Sequence, residues 1–443
     1  MTSPFDRRQF LAATGSAFGA LALSGCVSRP VGRTVAPTFA GYGPLVADPD
    51  GLLDLPQGFS YRLISSLGDA MSDGGQVPDK ADGMGCLPLG TGEIALVRNH
   101  ELKPDDPPGG SLAAGFDRMA GKAVLPGGTT TLVLDAQTLG VKRQYRSLAG
   151  TIRNCSGGVT PWNSWLSCEE FVTRTGELGA DKLGRDHGWV FEVPAAAPGL
   201  VDPVPLTAMG RFNHEAACVD PATGYVYLTE DRGDGVLYRF MPATPGKLHE
   251  GGRLQAMIVE GVADTRNWEQ ASMAIGRKYT VDWIDLANVE APEDDLRLRA
   301  AARGAALVAR GEGIHMGTDE LYVCSTNGGA KKLGQIFKLV PGRGQRADTV
   351  ELFFESERED QFNYGDNLTV APNGHLIVCE DQYTDVVDNH LRGITPDGRP
   401  YDFGKLNLQT ELAGGCFSPD GKWFFVNAYS PTRTIAITGP WAA

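Results

Sequence analysis

The chain of 443 residues carries 54 acidic against 40 basic side chains, a net charge of −14, with no block rich in Lys and Arg. Binding a phosphate backbone needs a basic footprint, so nucleic acid is excluded as a partner class. The 57 Gly and 28 Pro favour many short strands and turns over long helices, in one very large domain or a few ordinary ones.

The first element is a targeting segment. Arg7-Arg8 precedes an apolar, small-residue run from Leu11 to Leu23, which reads as a twin-arginine export signal over residues 1–26. The run ends Leu23-Ser24-Gly25-Cys26, similar to a lipoprotein cleavage box. Cys26 is therefore the expected lipidation site, with simple cleavage after a nearby small residue as the alternative. No other apolar run is long enough to span a bilayer, so the only membrane association expected is through this anchor. The mature chain, 27–443, is expected as one exported domain, periplasmic or envelope-anchored. Twin-arginine export carries folded proteins, which allows a metal to be loaded in the cytoplasm. Seven cysteines follow Cys26, and an odd number leaves at least one unpaired.

The rest of the chain is a repeat. An early copy runs through Leu87–Glu101, followed by Cys155–Glu170, Glu215–Asp231, Glu312–Asn327, Asp366–Asp381 and a weaker copy at Ala413–Ala428. Each is a short semi-polar strand, a turn of Asp, Pro, Asn or Gly, an apolar alternating strand and a polar, often acidic, end. Further strands follow at 188–193, 236–240 and 335–340. Turns about 50 residues apart suit four-stranded propeller blades. The expected fold is all-β, a six-bladed β-propeller, with seven blades or a sandwich pair as alternatives. One segment departs from the plan. Pro292–Ala309 has Pro and acids first and an Ala/Leu/Arg-rich body, which predicts a helical insertion.

In an antiparallel hairpin the start of one strand lies opposite the end of its partner. The opening positions Cys155, Glu215, Glu312 and Asp366-Asn367, with Ala413 in the last copy, therefore share one end of their hairpins with the closing residues. Those are Glu169-Glu170, Glu230-Asp231, Glu380-Asp381 and, in the early copy, Asn99 and Glu101. Around a central channel these groups converge on one mouth. Unneutralised, such acids repel or hold protons, and a multivalent cation resolves the conflict. Seven His in the whole chain argue against a His-rich zinc or copper site. Carboxylates and amides suit Ca²⁺, whereas the Cys155 thiolate points to an additional transition metal, with iron as a candidate. The competing reading of any one acid is a turn cap or a partner for arginine. Arg310, two residues before Glu312, suits a phosphate or carboxylate, or a salt bridge to a ligand acid. Arg153 and Arg232 are less well placed.

The motifs RNHE (98–101), NCSGGVTPW (154–162), SCEE (167–170), NHEAACVDPATGYVYLTED (213–231), RGEGI (310–314) and DNL (366–368), behind a twin-arginine start, resemble the PhoX-type alkaline phosphatases. The resemblance spans most of the mature chain in order. It implies a propeller phosphomonoesterase using Fe³⁺ and Ca²⁺, in which Cys155, Glu215 and Glu312 hold an iron pair. Arg310 would bind the substrate phosphate, and further acids and amides would hold calcium. Two departures stand out: the chain is shorter between Glu170 and Asn213, and Gly311 stands where the family pattern has proline. A monomer is expected. The rival readings are a calcium-dependent propeller hydrolase of lactones or other esters and a non-catalytic, calcium-stabilised binding propeller.

Overall fold

Apolar residues alternating along short runs, punctuated by Gly, Pro, Asn and Asp turns, fold into strands of mostly five to nine residues. The structure, a computed structural model, describes residues 41–441 apart from 91, 121, 179–181, 383 and 387. The export segment and Cys26 lie outside the described residues. The fold is all-β and propeller-like. Among the described residues no helix is long and apolar enough to cross a membrane.

Six antiparallel hairpins organise it. They are β1 (Ala81–Pro88) with β2 (Glu93–His100), β3 (Asn154–Val159) with β4 (Ser164–Glu169), and β5 (His214–Val219) with β6 (Val226–Glu230). They continue with β7 (Gly311–Met316) and β8 (Leu321–Ser325), β9 (Gly365–Val370) and β10 (Leu376–Glu380), and β11 (Leu412–Phe417) and β12 (Trp423–Ala428). The opening strands pack in sequence, β1 on β3, then β5, β7, β9 and β11, and β11 returns to β1. The strands expected after the hairpins are present as Val190–Pro194, Tyr238–Pro242 and Gln335–Val340.

Outer strands make the sheets unequal. The hairpin β5–β6 and the hairpin β7–β8 belong to one nine-stranded sheet, joined where Lys278–Asp285 pairs with Asp348–Glu355. The sheet of β11 and β12 is completed by Arg433–Thr438 and, from the other end of the chain, Ser60–Ser66. Between sheets lie apolar layers, such as Leu166, Val190, Leu228, Tyr238 and Phe240. Each fully buried aliphatic or aromatic side chain of this kind contributes roughly 1.5–3 kcal/mol.

The helix expected over 292–309 is much shorter, Leu296–Ala301. Asp294 at φ 51° and Gly304 at φ 95° end the helical path on either side. Leu307–Val308 instead pairs with Gly235–Val236 and delivers the chain to β7. Helix propensity gives way here to a strand pairing that fixes where Arg310 and Glu312 stand.

Candidate metal centre

All six hairpins carry the same irregularity. In each, two residues of the opening strand face one of its partner: 82–83, 155–156, 215–216, 312–313, 366–367 and 414–415. Such a bulge re-aims a side chain. The first bulged residue lines one end of the channel in five of the six: Asp82, Cys155, Glu215, Glu312 and Asp366. At two of the second positions, Gly83 and Gly313, the neighbouring opening strand leaves no room for a side chain. A Cβ on Gly83 would come within 2.5 Å of Ser156 Cα, and one on Gly313 within 2.6 Å of the Leu368 nitrogen.

The sixth copy is shifted by one from the position expected at Ala413. Its bulge begins at Gly414, at φ 68°, where a Cβ would fall 2.2 Å from the Asp82 carbonyl oxygen. That blade supplies Glu411 instead, from just before its strand.

Closing residues form a second tier, each docked by its backbone N–H on the carbonyl of the residue before an opening strand. Glu101 docks on Lys80, Glu170 on Arg153, Asp231 on Asn213, Asp381 on Tyr364 and Tyr429 on Glu411. Glu101, Glu170, Asp231 and Asp381 thus reach the mouth as expected. Their neighbours do not. Adjacent residues on a strand face opposite ways, so Glu169, Glu230 and Glu380 turn into the sheets. Glu169 accepts the N–H groups of Ile152, Gly188 and Trp189 and meets His187 Nδ1 at 2.6 Å. Glu380 accepts from the Asn363 and His390 backbones and from Arg392 Nε at 2.7 Å. Glu230 accepts the Tyr238 hydroxyl at 2.8 Å, and burial pushes its carboxyl up to about 8.

The two amides are also corrected. Asn99 donates to the Cys155 and Ser156 carbonyls and accepts from Trp165 and Ser167, so it fixes the ligand strand from behind. Asn367 donates to Asp366 Oδ1, accepts from the Gly414 backbone and lines the channel's opposite, apolar side.

The mouth gathers nine carboxylates, one thiol and three basic side chains, Lys103, Arg153 and Arg310. Two groups of potential ligand atoms lie within 4.8 Å of one another: Cys155, Glu170 and Glu215, and Glu215, Glu312 and Asp366. Glu215 belongs to both, is 0% exposed, and neither of its oxygens has a hydrogen-bond partner. A buried carboxylate with no donor is expensive unless a cation meets it. Burial, followed by the charges of Glu312, Asp366, Glu170 and Asp82, pushes its carboxyl well above the usual range. Burial likewise raises Asp82, Glu170, Glu312, Asp366, Glu411 and the Cys155 thiol, with surrounding acids adding to it. The donor set of oxygens and one sulphur thus fits a multivalent cation.

Arg310 stands at φ 45° and grips both oxygens of Asp231, at 2.7 and 3.0 Å, while Nη2 also reaches Glu312 at 2.9 Å. Arg153, which sequence placed less well, occupies the equivalent position at the same φ of 45°. It bridges Glu101 and Glu170.

A family model described as alkaline phosphatase PhoX matches residues 40–432. The chain belongs to the PhoX family. It is therefore a hydrolase of phosphoric monoesters, a metal-dependent phosphatase of the alkaline type. Among solved structures, Pseudomonas fluorescens PhoX in complex with vanadate, a transition state analogue, is 19% identical. That alignment covers 90% of this chain and 97% of that one with a TM-score of 0.69, which shows the shared fold. A gluconolactonase, XC5397 from Xanthomonas campestris, aligns at 13% identity over 90% of this chain and 99% of its own, with a TM-score of 0.43. No curated protein matches the chain.

Proposed function

We propose that the phosphatase works with Fe³⁺ and Ca²⁺ held in this mouth. Cys155, Glu215 and Glu312 would hold an iron pair with Glu170 and Asp366, and Asp82, Asp381 and Glu411 would serve calcium. The observation that carries this reading is Glu215, buried, shared by both ligand groups and without a hydrogen bond to either oxygen. When bound, the cations supply charge neutralisation for the phosphate and a Lewis-acid template for an oxygen nucleophile.

The chain's own residues supply the rest. Arg310 would bring its guanidinium charge to the substrate phosphate, its orientation set by the bidentate contact with Asp231. Cys155 serves as a ligand rather than the attacking group, since burial among acids opposes a free thiolate. Asn99 holds the Cys155 backbone in place. The complex of the Pseudomonas protein with vanadate, a transition state analogue, accords with phosphate chemistry on this fold.

We read the fold as six blades, one per hairpin, which the closed succession of opening strands supports. The paired Arg7-Arg8 and Cys26 support twin-arginine export, with a lipid anchor, to the periplasm or envelope. The substrate is a phosphomonoester acted on by a monomer. Elemental analysis of wild type and Cys155→Ala, with turnover of a generic phosphomonoester, tests the reading. The variant is expected to lose iron and activity while remaining folded, and full metal content and turnover would overturn it.

A further inference from the structure

The seven cysteines after Cys26 are all free thiols in the structure, and two of them, Cys86 and Cys416, share one apolar layer at the seam where the ring closes. The sheet containing β11 takes its last strand, Ser60–Ser66, from the start of the described chain, which then enters β1 of the neighbouring sheet. Glycines settle which way the flanking residues point. A Cβ on Gly85 would meet Val159 and Trp165 in the following hairpin, so Met84 and Cys86 present the other face of β1, toward β11. A Cβ on Gly415 would meet Phe424 and Cys379 on the side away from β1, so Cys416 faces β1. Both thiols accordingly sit in one apolar layer with Met84 and Phe425. The Cys86 backbone N–H lies near enough to the Cys416 sulphur to lower its pKa against the larger effect of burial.

We propose that Cys86 and Cys416 are an oxidisable pair that forms a disulfide stapling the first hairpin to the last. The oxidant is a disulfide of low molecular weight or an oxidised protein dithiol. Cys86, the less buried residue of the two, loses its thiol proton and attacks one sulphur of the oxidant, releasing one thiol and leaving a mixed disulfide. Cys416, at the edge of a cavity of about 330 Å³ on the apolar side of the channel, then attacks the Cys86 sulphur. The second thiol leaves. Two protein thiols are oxidised to one disulfide, and the oxidant is reduced to two thiols. Burial raises both thiols, so the reaction is slow at neutral pH and accelerates as pH rises. Export as a folded protein would place the pair in an oxidising compartment only after the ring had closed. The staple spans most of the chain and acts on the unfolded state accordingly.

The test uses reduced full-length protein exposed to oxidised glutathione at mildly alkaline pH, then alkylated in denaturant, digested and mapped without reduction. The expected result is one cross-linked peptide joining Cys86 to Cys416, with two fewer alkylated thiols. A higher unfolding midpoint than the reduced protein is also expected, and that difference should vanish in Cys86→Ala. Recovery of both residues as alkylated thiols, as separate glutathione adducts, or linked to other cysteines would overturn the proposal.

Discussion

Removing the charge of Glu215 should change stability in opposite directions with and without metal. In the metal-free protein Glu215 lies within 4.8 Å of ligand atoms of Cys155, Glu170, Glu312 and Asp366, with no donor to either of its oxygens. At an effective dielectric near 20, each charge pair at that separation costs roughly 3.5 kcal/mol, so the empty cluster relaxes by holding protons. Glu215→Gln is nearly isosteric and removes the need to hold one of them. A gain of about 1–3 kcal/mol in the chelated protein follows. For a domain of about 400 residues this is a rise of roughly 1–4 °C in melting temperature. In the metal-loaded protein the same change removes the ligand common to both groups, so metal content and phosphatase turnover collapse. Calorimetry of both proteins with and without chelator, beside elemental analysis, reads the two signs. An unchanged or lower melting temperature in the chelated variant, or wild-type metal content in the unchelated variant, would contradict this.

Arg310→Met should raise KM or lower kcat/KM for phosphomonoesters by roughly 10- to 100-fold, the worth of a charge-assisted hydrogen bond, while metal content stays at the wild-type level. Steady-state kinetics with elemental analysis checks both. Glu169→Gln should destabilise the fold by about 3–5 kcal/mol in denaturant titration, because it breaks a buried pair with His187, yet leave metal stoichiometry intact. His187, between Glu169 and Asp117, is pushed up to about 9 from 6.5 by those carboxylates against the opposing effect of burial. Its contribution, on the order of 3 kcal/mol, is complete below pH 6.5 and is lost as pH rises through about 9. Unfolding free energy measured from neutral to alkaline pH should fall in wild type and fall less in His187→Gln.

Much of this molecule was legible from spacing. The copies starting at Cys155, Glu215, Glu312 and Asp366 align because each opens on a two-residue bulge whose first residue lines the mouth. Asp82 lies ahead of the early copy at Leu87–Glu101, although Asp82-Gly83 repeats the acid-glycine pair of Glu312-Gly313. The strand period separates Glu170, Asp231 and Asp381 from Glu169, Glu230 and Glu380, and treating each acidic pair as a unit ignored it. Glu411 and Tyr429 leave no signal, since the sixth hairpin carries Gly414 where the others carry an acid or thiol that lines the mouth. Arg153 was undervalued because its equivalence to Arg310 lies in the backbone, where both take a φ of 45° before an opening strand. The helix failed for a non-local reason, as pairing with Gly235–Val236 outweighs propensity after Ala301.

The central claim is that the acidic mouth is a metal centre on which phosphomonoester hydrolysis depends. Iron and calcium content measured on one preparation before chelation, after it and after re-addition, with turnover at each stage, tests that claim most directly. Both metals are expected to accompany the purified protein, and activity to fall with their removal and return with them. Undiminished turnover by the metal-free protein would contradict it.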